Sequence, residues 1–165
     1  MTIYYCPACH AENQMGDSTC HRCGAMLDTS GQDYVSKLIS ALDHPEPETP
    51  VRAAWILGEL KEKRAVEALE RVLSEGGRDP FLLASAAEAL GKIGDPSAAG
   101  PLSLALESSY LSVRLSAVEA LGRLGGGVAE RALTLAMADP NPSVREAAER
   151  VLRRLSSGNG HTPAG

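Results

Sequence analysis

Three stretches of this chain repeat one pattern at a near-constant distance: Ala53-Ala54-Trp55-Ile56-Leu57-Gly58, Ala86-Ala87-Glu88-Ala89-Leu90-Gly91 and Ala117-Val118-Glu119-Ala120-Leu121-Gly122. Their glycines lie 33 and 31 residues apart. A second series, Leu38, Leu69, Leu102 and Leu133, keeps the same frame with steps of 31, 33 and 31. A unit of that length cannot bury its own apolar face, so a period of this size means that units stack on their neighbours into a helical solenoid. Asp33 to Leu155 is therefore read as one array, and the fold class as all-α.

Composition supports helices packed closely. Of 165 residues, 44% are hydrophobic, yet only one Phe and one Trp are present, so a core must be made of Ala, Leu, Val and Ile. The net charge of −5 and a pI near 5.4 argue against a general binder of nucleic acid or anionic membrane, which would need a basic surface. No run of about 18 apolar residues is available to span a bilayer. No basic segment followed by an apolar one suggests a secretion signal, and the cytoplasm is the expected compartment.

All four cysteines fall in the first 23 residues, as Cys6-Pro7-Ala8-Cys9 and Cys20-His21-Arg22-Cys23. Two Cys-x2-Cys turns bring four thiolates to one ion and match the tetrahedral preference of Zn²⁺. Gly24 suits the positive φ such a turn needs. Cys6-Pro7-Ala8-Cys9-His10 also spells a c-type haem attachment site, but that leaves the second pair unexplained. A dithiol redox centre would want a βαβ context that is missing, and ligand type alone does not separate zinc from iron. The expected ligands are Cys6, Cys9, Cys20 and Cys23 around a structural Zn²⁺, with His10 and His21 as solvated neighbours. The segment resembles the small zinc ribbons found at the termini of many bacterial and archaeal proteins. So small a module has almost no core, and the metal would supply most of its folding free energy.

In chain order, residues 1–27 are read as the ribbon, 28–32 as a linker, 33–155 as the array and 156–165 as a disordered tail. The helix over 33–42 is half a repeat and caps the stack. Three hairpins follow at about 50–74, 80–107 and 111–138, with a last helix over 143–155. Gly94, Asp95 and Pro96 form a tight helix-turn-helix signal. Gly125-Gly126-Gly127 does this more loosely, and Lys61-Glu62-Lys63 replaces it in the first hairpin. Gly58, Gly91 and Gly122 stand inside helices, where glycine costs about 1 kcal/mol relative to alanine. Close approach of a neighbouring helix is the simplest offset.

The repeats resemble the HEAT-like repeats of the phycobilisome-lyase type, whose motif looks like Val-Arg-x-x-Ala-x-x-Ala-Leu-Gly. Val113-Arg114 and Val144-Arg145 match its start in register, whereas Val51-Arg52 lies two residues too close to its glycine and the second repeat has Leu82-Leu83. The resemblance implies that the second helix of each hairpin lines an inner, concave face. In the leucine frame, Glu67, Glu70, Arg71, Ser103, Leu104, Arg131, Thr134 and Leu135 point outward there. Leu104 and Leu135 then form a modest apolar patch with polar flanks, as a protein-binding surface would have. Trp55 is the odd residue of the first helices: its equivalents Glu88, Glu119 and Arg150 are polar, so it should face outward unless the ribbon or a partner covers it.

No catalytic set is apparent. A metal-dependent hydroxylase of this architecture would carry His-Glu pairs on its inner helices, and His44 is the one histidine of the array, in a loop. The expectation is an adaptor, not an enzyme, that binds another protein. The resemblance keeps a lyase-like component handling a tetrapyrrole as the alternative, and a nucleic-acid role of the ribbon as a third.

Overall fold

The computed structural model describes residues 3–6, 8–14, 17–27, 33–75 and 77–158. The ribbon opens with two antiparallel strands, β1 (Ile3–Tyr5) and β2 (Glu12–Gln14), paired Tyr5 to Glu12 and Ile3 to Gln14. An isolated bridge joins Thr19 to Met26. The array follows as α1 (Tyr34–Ala41), α2 (Glu48–Glu59), α3 (Val66–Ser74), α4 (Pro80–Ile93), α5 (Ala99–Ala105), α6 (Leu111–Leu124), α7 (Gly126–Ala136) and α8 (Pro142–Gly158). The expected linker over 28–32 lies outside the described residues. The last helix runs to Gly158, beyond the Leu155 boundary read from apolar periodicity. Ser156 and Ser157 lie in this last turn and donate their hydroxyls back to the carbonyls of Leu152 and Arg153, each at 3.0 Å. The rest of the expected tail is not among the described residues.

The described buried hydrophobic residues fall into two separate clusters. One is the ribbon's, an apolar cluster of Cys6, Ala11, Cys20 and Leu27 among the described residues. The other runs unbroken from Leu38 to Val151 and contains Leu57, Leu69, Leu90, Leu102, Leu121 and Leu133 with no measurable exposure. That continuity is what a stack of hairpins requires, since each unit's apolar face is covered by the next.

Helix ends follow local chemistry. Asp79 accepts from the N–H groups of Phe81 and Leu82 to start α4, with Pro80 in its first turn, and Gly94 ends it at φ 76°. Asp95 then accepts from Ser97 N, and a 3₁₀ turn over Pro96–Ala98 leads into α5. The first hairpin builds the same corner from different residues. Lys61 adopts φ 50° where Gly94 stands in the second, and Glu62 accepts from Arg64 N where Asp95 caps. Function in the turn was carried by position, not by the Gly-Asp-Pro spelling, which is why the sequence signal was weak there.

The repeated glycines are contact points between first helices. A Cβ on Gly58 would stand 2.7 Å from the Cα of Ala89, and one on Gly91 2.6 Å from the Cα of Ala120. Gly122 meets the methyls of Val151 in the same way. Each glycine thus faces the residue two positions before the next glycine of the series. On α8 the series continues with Arg153, whose side chain is 73% exposed and paired with Glu149.

Arg114, the arginine of the Val-Arg motif, closes its hairpin: it donates to both carboxylate oxygens of Asp139 at 2.9 and 3.3 Å and to the carbonyl of Ser108 at 2.8 Å. At the other end of the array, Asp43 accepts from Arg71 at 3.0 Å and from Arg78 at 2.7 Å.

Candidate functional site

The two Cys-x2-Cys turns are near copies of each other. His10 N donates to Cys6 O at 2.8 Å and Cys6 N to Ala11 O at 2.9 Å; Gly24 N donates to Cys20 O at 2.9 Å and Cys20 N to Ala25 O at 2.8 Å. Both end on a left-handed residue, Gly24 at φ 72° and His10 at φ 56°. Asn13 ties them together from its buried position: its amide nitrogen donates to Ala11 O at 2.7 Å, and its amide oxygen accepts from His21 N at 3.2 Å.

These knuckles bring Cys6, Cys9, Cys20 and Cys23 to one point, with all four sulfurs within 4.8 Å of one another. Cys6 and Cys23 are 3.6 Å apart and Cys9 and Cys20 3.5 Å. A tetrahedron with metal–sulfur bonds of about 2.3 Å has edges of about 3.8 Å, so the set fits a tetrahedral ion with little movement. Arg22 N points at the Cys20 sulfur from 3.4 Å. Burial raises the Cys20 thiol pKa, but the N–H groups of Cys23 and Arg22 and the neighbouring thiols outweigh it and take it down to about 6. At Cys9 the Ala11 N–H, which lowers the pKa, is outweighed by the thiols of Cys23, Cys20 and Cys6 and by burial, and the pKa rises to about 12. Sulfurs so crowded resist sharing negative charge until a cation is placed among them.

On the array, the second helices present the expected residues to solvent. Glu67, Arg71, Arg131 and Thr134 are exposed, and Glu70 and Ser103 are half-buried. Leu104 and Leu135, at the same position of α5 and α7, are 69% and 77% exposed. Glu70 accepts from the Ser97 hydroxyl at 3.3 Å, while Ser103 and Thr134 turn their hydroxyls back to the carbonyls of Ala99 and Glu130. Trp55 is 54% exposed on α2, so neither the ribbon nor the array covers it fully.

Sequence reasoning missed a cleft of about 640 Å³ between the ribbon and the first loop of the array, lined in part by Tyr5, His10, His21, Arg22, His44 and Glu46. The His44 ring meets the Tyr5 ring edge-on at 4.9 Å and the His10 ring at 5.3 Å. His44 was the available signal, as the one array histidine, but its partners are 34 or more residues away in sequence.

A family model of HEAT repeats matches residues 35–122. Among curated proteins, deoxyhypusine hydroxylase-B of Oryza sativa subsp. japonica is 37% identical over 71 residues, a match that spans 43% of this chain and 24% of the hydroxylase. The chain is thus matched to about a quarter of that relative's length. Solved structures share the architecture at low identity. An engineered protein is 23% identical with a TM-score of 0.59, covering 76% of this chain and 64% of its own. The complex of CpcE and CpcF of phycocyanin lyase from Nostoc sp. PCC7120 is 23% identical with a TM-score of 0.54, covering 79% and 68%. A designed armadillo repeat protein bound to a (KR)4 peptide is 19% identical with a TM-score of 0.58, covering 73% and 64%.

The expectation that the chain is not an enzyme is overturned by these names, since the curated relative is a hydroxylase and one structural neighbour a lyase. That expectation rested on the missing His-Glu pairs of the array and on the lack of a Ser/His/Asp or Cys/His set. No described helix is long and apolar enough to cross a membrane. Stacked helical hairpins joined at Gly58, Gly91 and Gly122, and a repeat match over more than half of its length, show that the chain belongs to the HEAT-repeat family.

Proposed function

We propose that the protein binds another protein through the second-helix face of its array, with the ribbon held by a structural Zn²⁺ on Cys6, Cys9, Cys20 and Cys23. The observation that carries the binding reading is the pair Leu104 and Leu135, both more than two-thirds exposed at one repeat position. Aliphatic side chains so exposed cost solubility unless a partner removes them from water. Glu67, Glu70, Arg71, Arg131 and Thr134 form the polar rim, where charges act more on association rate and salt dependence than on residence time. Repeat arrays offer an extended surface for little core, which suits this role.

For the ribbon, the four sulfurs at tetrahedral spacing support the metal, and a buried apolar cluster of four residues among those described supports its structural part, because so little apolar area cannot fold a module alone. Four thiolates with no open position leave Zn²⁺ structural rather than catalytic.

The test is affinity capture from the native cell with the wild type and with Leu104→Ser/Leu135→Ser, followed by titration of the purified partner. Partner affinity should fall at least tenfold in the double variant with helicity unchanged. Unchanged affinity in that variant, together with loss of binding in Trp55→Ala or on removal of residues 1–27, would move the working surface to the ribbon side. The hydroxylase match favours a second reading, in which the array is one component of an enzyme and the same face holds its substrate. Turnover of a captured partner, or a bound tetrapyrrole, would separate it from simple docking.

A further inference from the structure

We propose that His44 is a latch that transmits the metal state of the ribbon to the array, so that the ribbon acts as a metal-dependent end cap and not as a separately tethered module. The inference rests on the metal reading above.

Two unfavourable placements meet at this junction. His10 occupies a left-handed backbone conformation, φ 56°, at the position where the twin knuckle has Gly24 at φ 72°. A side chain there is strained, and glycine would serve the turn without strain. Beside it, His44 accepts from Glu46 N through Nδ1 at 3.1 Å, which leaves the ring proton on Nε2. That Nε2 is buried and has no hydrogen-bond partner among the described residues. Both placements become reasonable if the contact between the rings is what matters: the edge of one ring set against the face of another is a favourable arrangement. Strain at one residue and an orphaned N–H at its neighbour point to a retained function for the pair.

The connections on either side make the junction a route. Tyr5 immediately precedes Cys6 and His10 immediately follows Cys9, so the knuckle that holds the metal also sets both rings that face His44. On the other side, His44 directly follows two anchors of the array. Leu42 is fully buried in the core, and Asp43 accepts from Arg71 of α3 and from Arg78 before α4. An ion among the four sulfurs therefore stiffens Tyr5 and His10, they fix the His44 loop, and that loop holds α1 and the first hairpin together. Without the ion the knuckle loosens and the support is withdrawn.

The experiment is a thermodynamic cycle on the full chain, zinc-loaded and chelated, in the wild type, His44→Ala and His10→Gly, with bound zinc measured directly in each. The described part of the ribbon has no helix, so the melt at 222 nm reports the array. In the wild type, removal of zinc should lower the array's melting temperature by roughly 3–6 °C. In His44→Ala the zinc-loaded protein should melt near the metal-free wild type, with about 1 °C or less of further change on chelation, because a coupled pair is non-additive. His10→Gly is the sharper variant: it should keep zinc, since Gly24 shows that the knuckle accepts glycine, yet lose the coupling. If His44 served the loop alone, it would lower the melting temperature equally with and without zinc, and this result overturns the latch. So does a wild-type melt indifferent to zinc that is demonstrably bound. A chain that binds no metal at all overturns the metal reading itself, and is told apart by the zinc measurement.

Discussion

Gly91→Ala is the substitution for which simple helix propensity and the geometry of the stack give opposite signs. Propensity alone makes alanine better in mid-helix by about 1 kcal/mol. The added methyl, however, would stand 2.6 Å from Ala120 Cα, 2.7 Å from its Cβ and 3.5 Å from its carbonyl carbon. Carbon atoms pack at about 3.5–4.0 Å, so α4 and α6 must part by about 1 Å. The obstacle is backbone, which cannot rotate away. Overpacking of this kind costs about 1–3 kcal/mol, and the parted helices lose dispersion along their length as well. A net loss of about 1–2 kcal/mol follows, or a fall of about 2–8 °C in melting temperature. Gly100→Ala is the control, because its Cβ meets nothing within 4 Å, and it should gain up to about 1 kcal/mol. Thermal melts at 222 nm on both zinc-loaded variants suffice. Should Gly91→Ala match Gly100→Ala in sign, the close-packing account of the glycine series is wrong.

Other expectations test separate parts of the molecule. Cys9→Ser should abolish stoichiometric zinc in elemental analysis and unfold the ribbon while preserving the helical amplitude at 222 nm; a haem band or iron alone in the wild type would refute the zinc assignment. Lys61→Gly should stabilise by about 0.5–1 kcal/mol, since Lys61 sits at φ 50° with its side chain in solvent, and an unchanged or lower urea midpoint would count against it. Arg114→Ala should cost about 2–3 kcal/mol because it strands the Asp139 carboxylate, only 8% exposed, whereas Arg150→Ala, from an exposed pair with Glu119, should cost under about 1 kcal/mol; similar urea midpoints for the two would refute the distinction. The Arg64 guanidinium holds the Asp33 carboxyl down at about 2. Its folded pKa is depressed, so its contribution is complete above the unfolded value near 3.9 and is lost as pH falls from there through about 2. Asp33→Asn should therefore flatten the stability profile in that window, and a profile of unchanged slope would argue against the pairing.

Periodic features were readable from the chain because stacking forces them to recur. The Ala-x-x-x-Leu-Gly series located the first helices and their joints, and the leucine frame put Leu104 and Leu135 at positions that are exposed. The cysteine spacing likewise brought four sulfurs together. What was hard to read depended on single, non-recurring contacts. Lys61 entering a left-handed turn breaks a composition rule that Gly94 obeys. The meeting of Tyr5 and His10 with His44 depends on how the ribbon is set on the array, which no period encodes. The end of α8 runs past the apolar pattern, because a solvent-exposed last turn needs no apolar residue to stay helical.

The Arg153 side chain at the glycine position of the last helix has a consequence for self-association. Gly58 and Gly91 meet alanines and Gly122 meets Val151, so a stack ending on a further glycine would offer a similar face onto which the first helices of other copies could add, head to tail, as monomers join a filament. Arg153, paired with Glu149 and 73% exposed, puts a charged and bulky side chain at that position of the series, which disfavours such addition. Solubility at high concentration is thereby written into one residue, and Arg153→Gly should raise the light scattering of concentrated protein while leaving the fold of the individual chain intact.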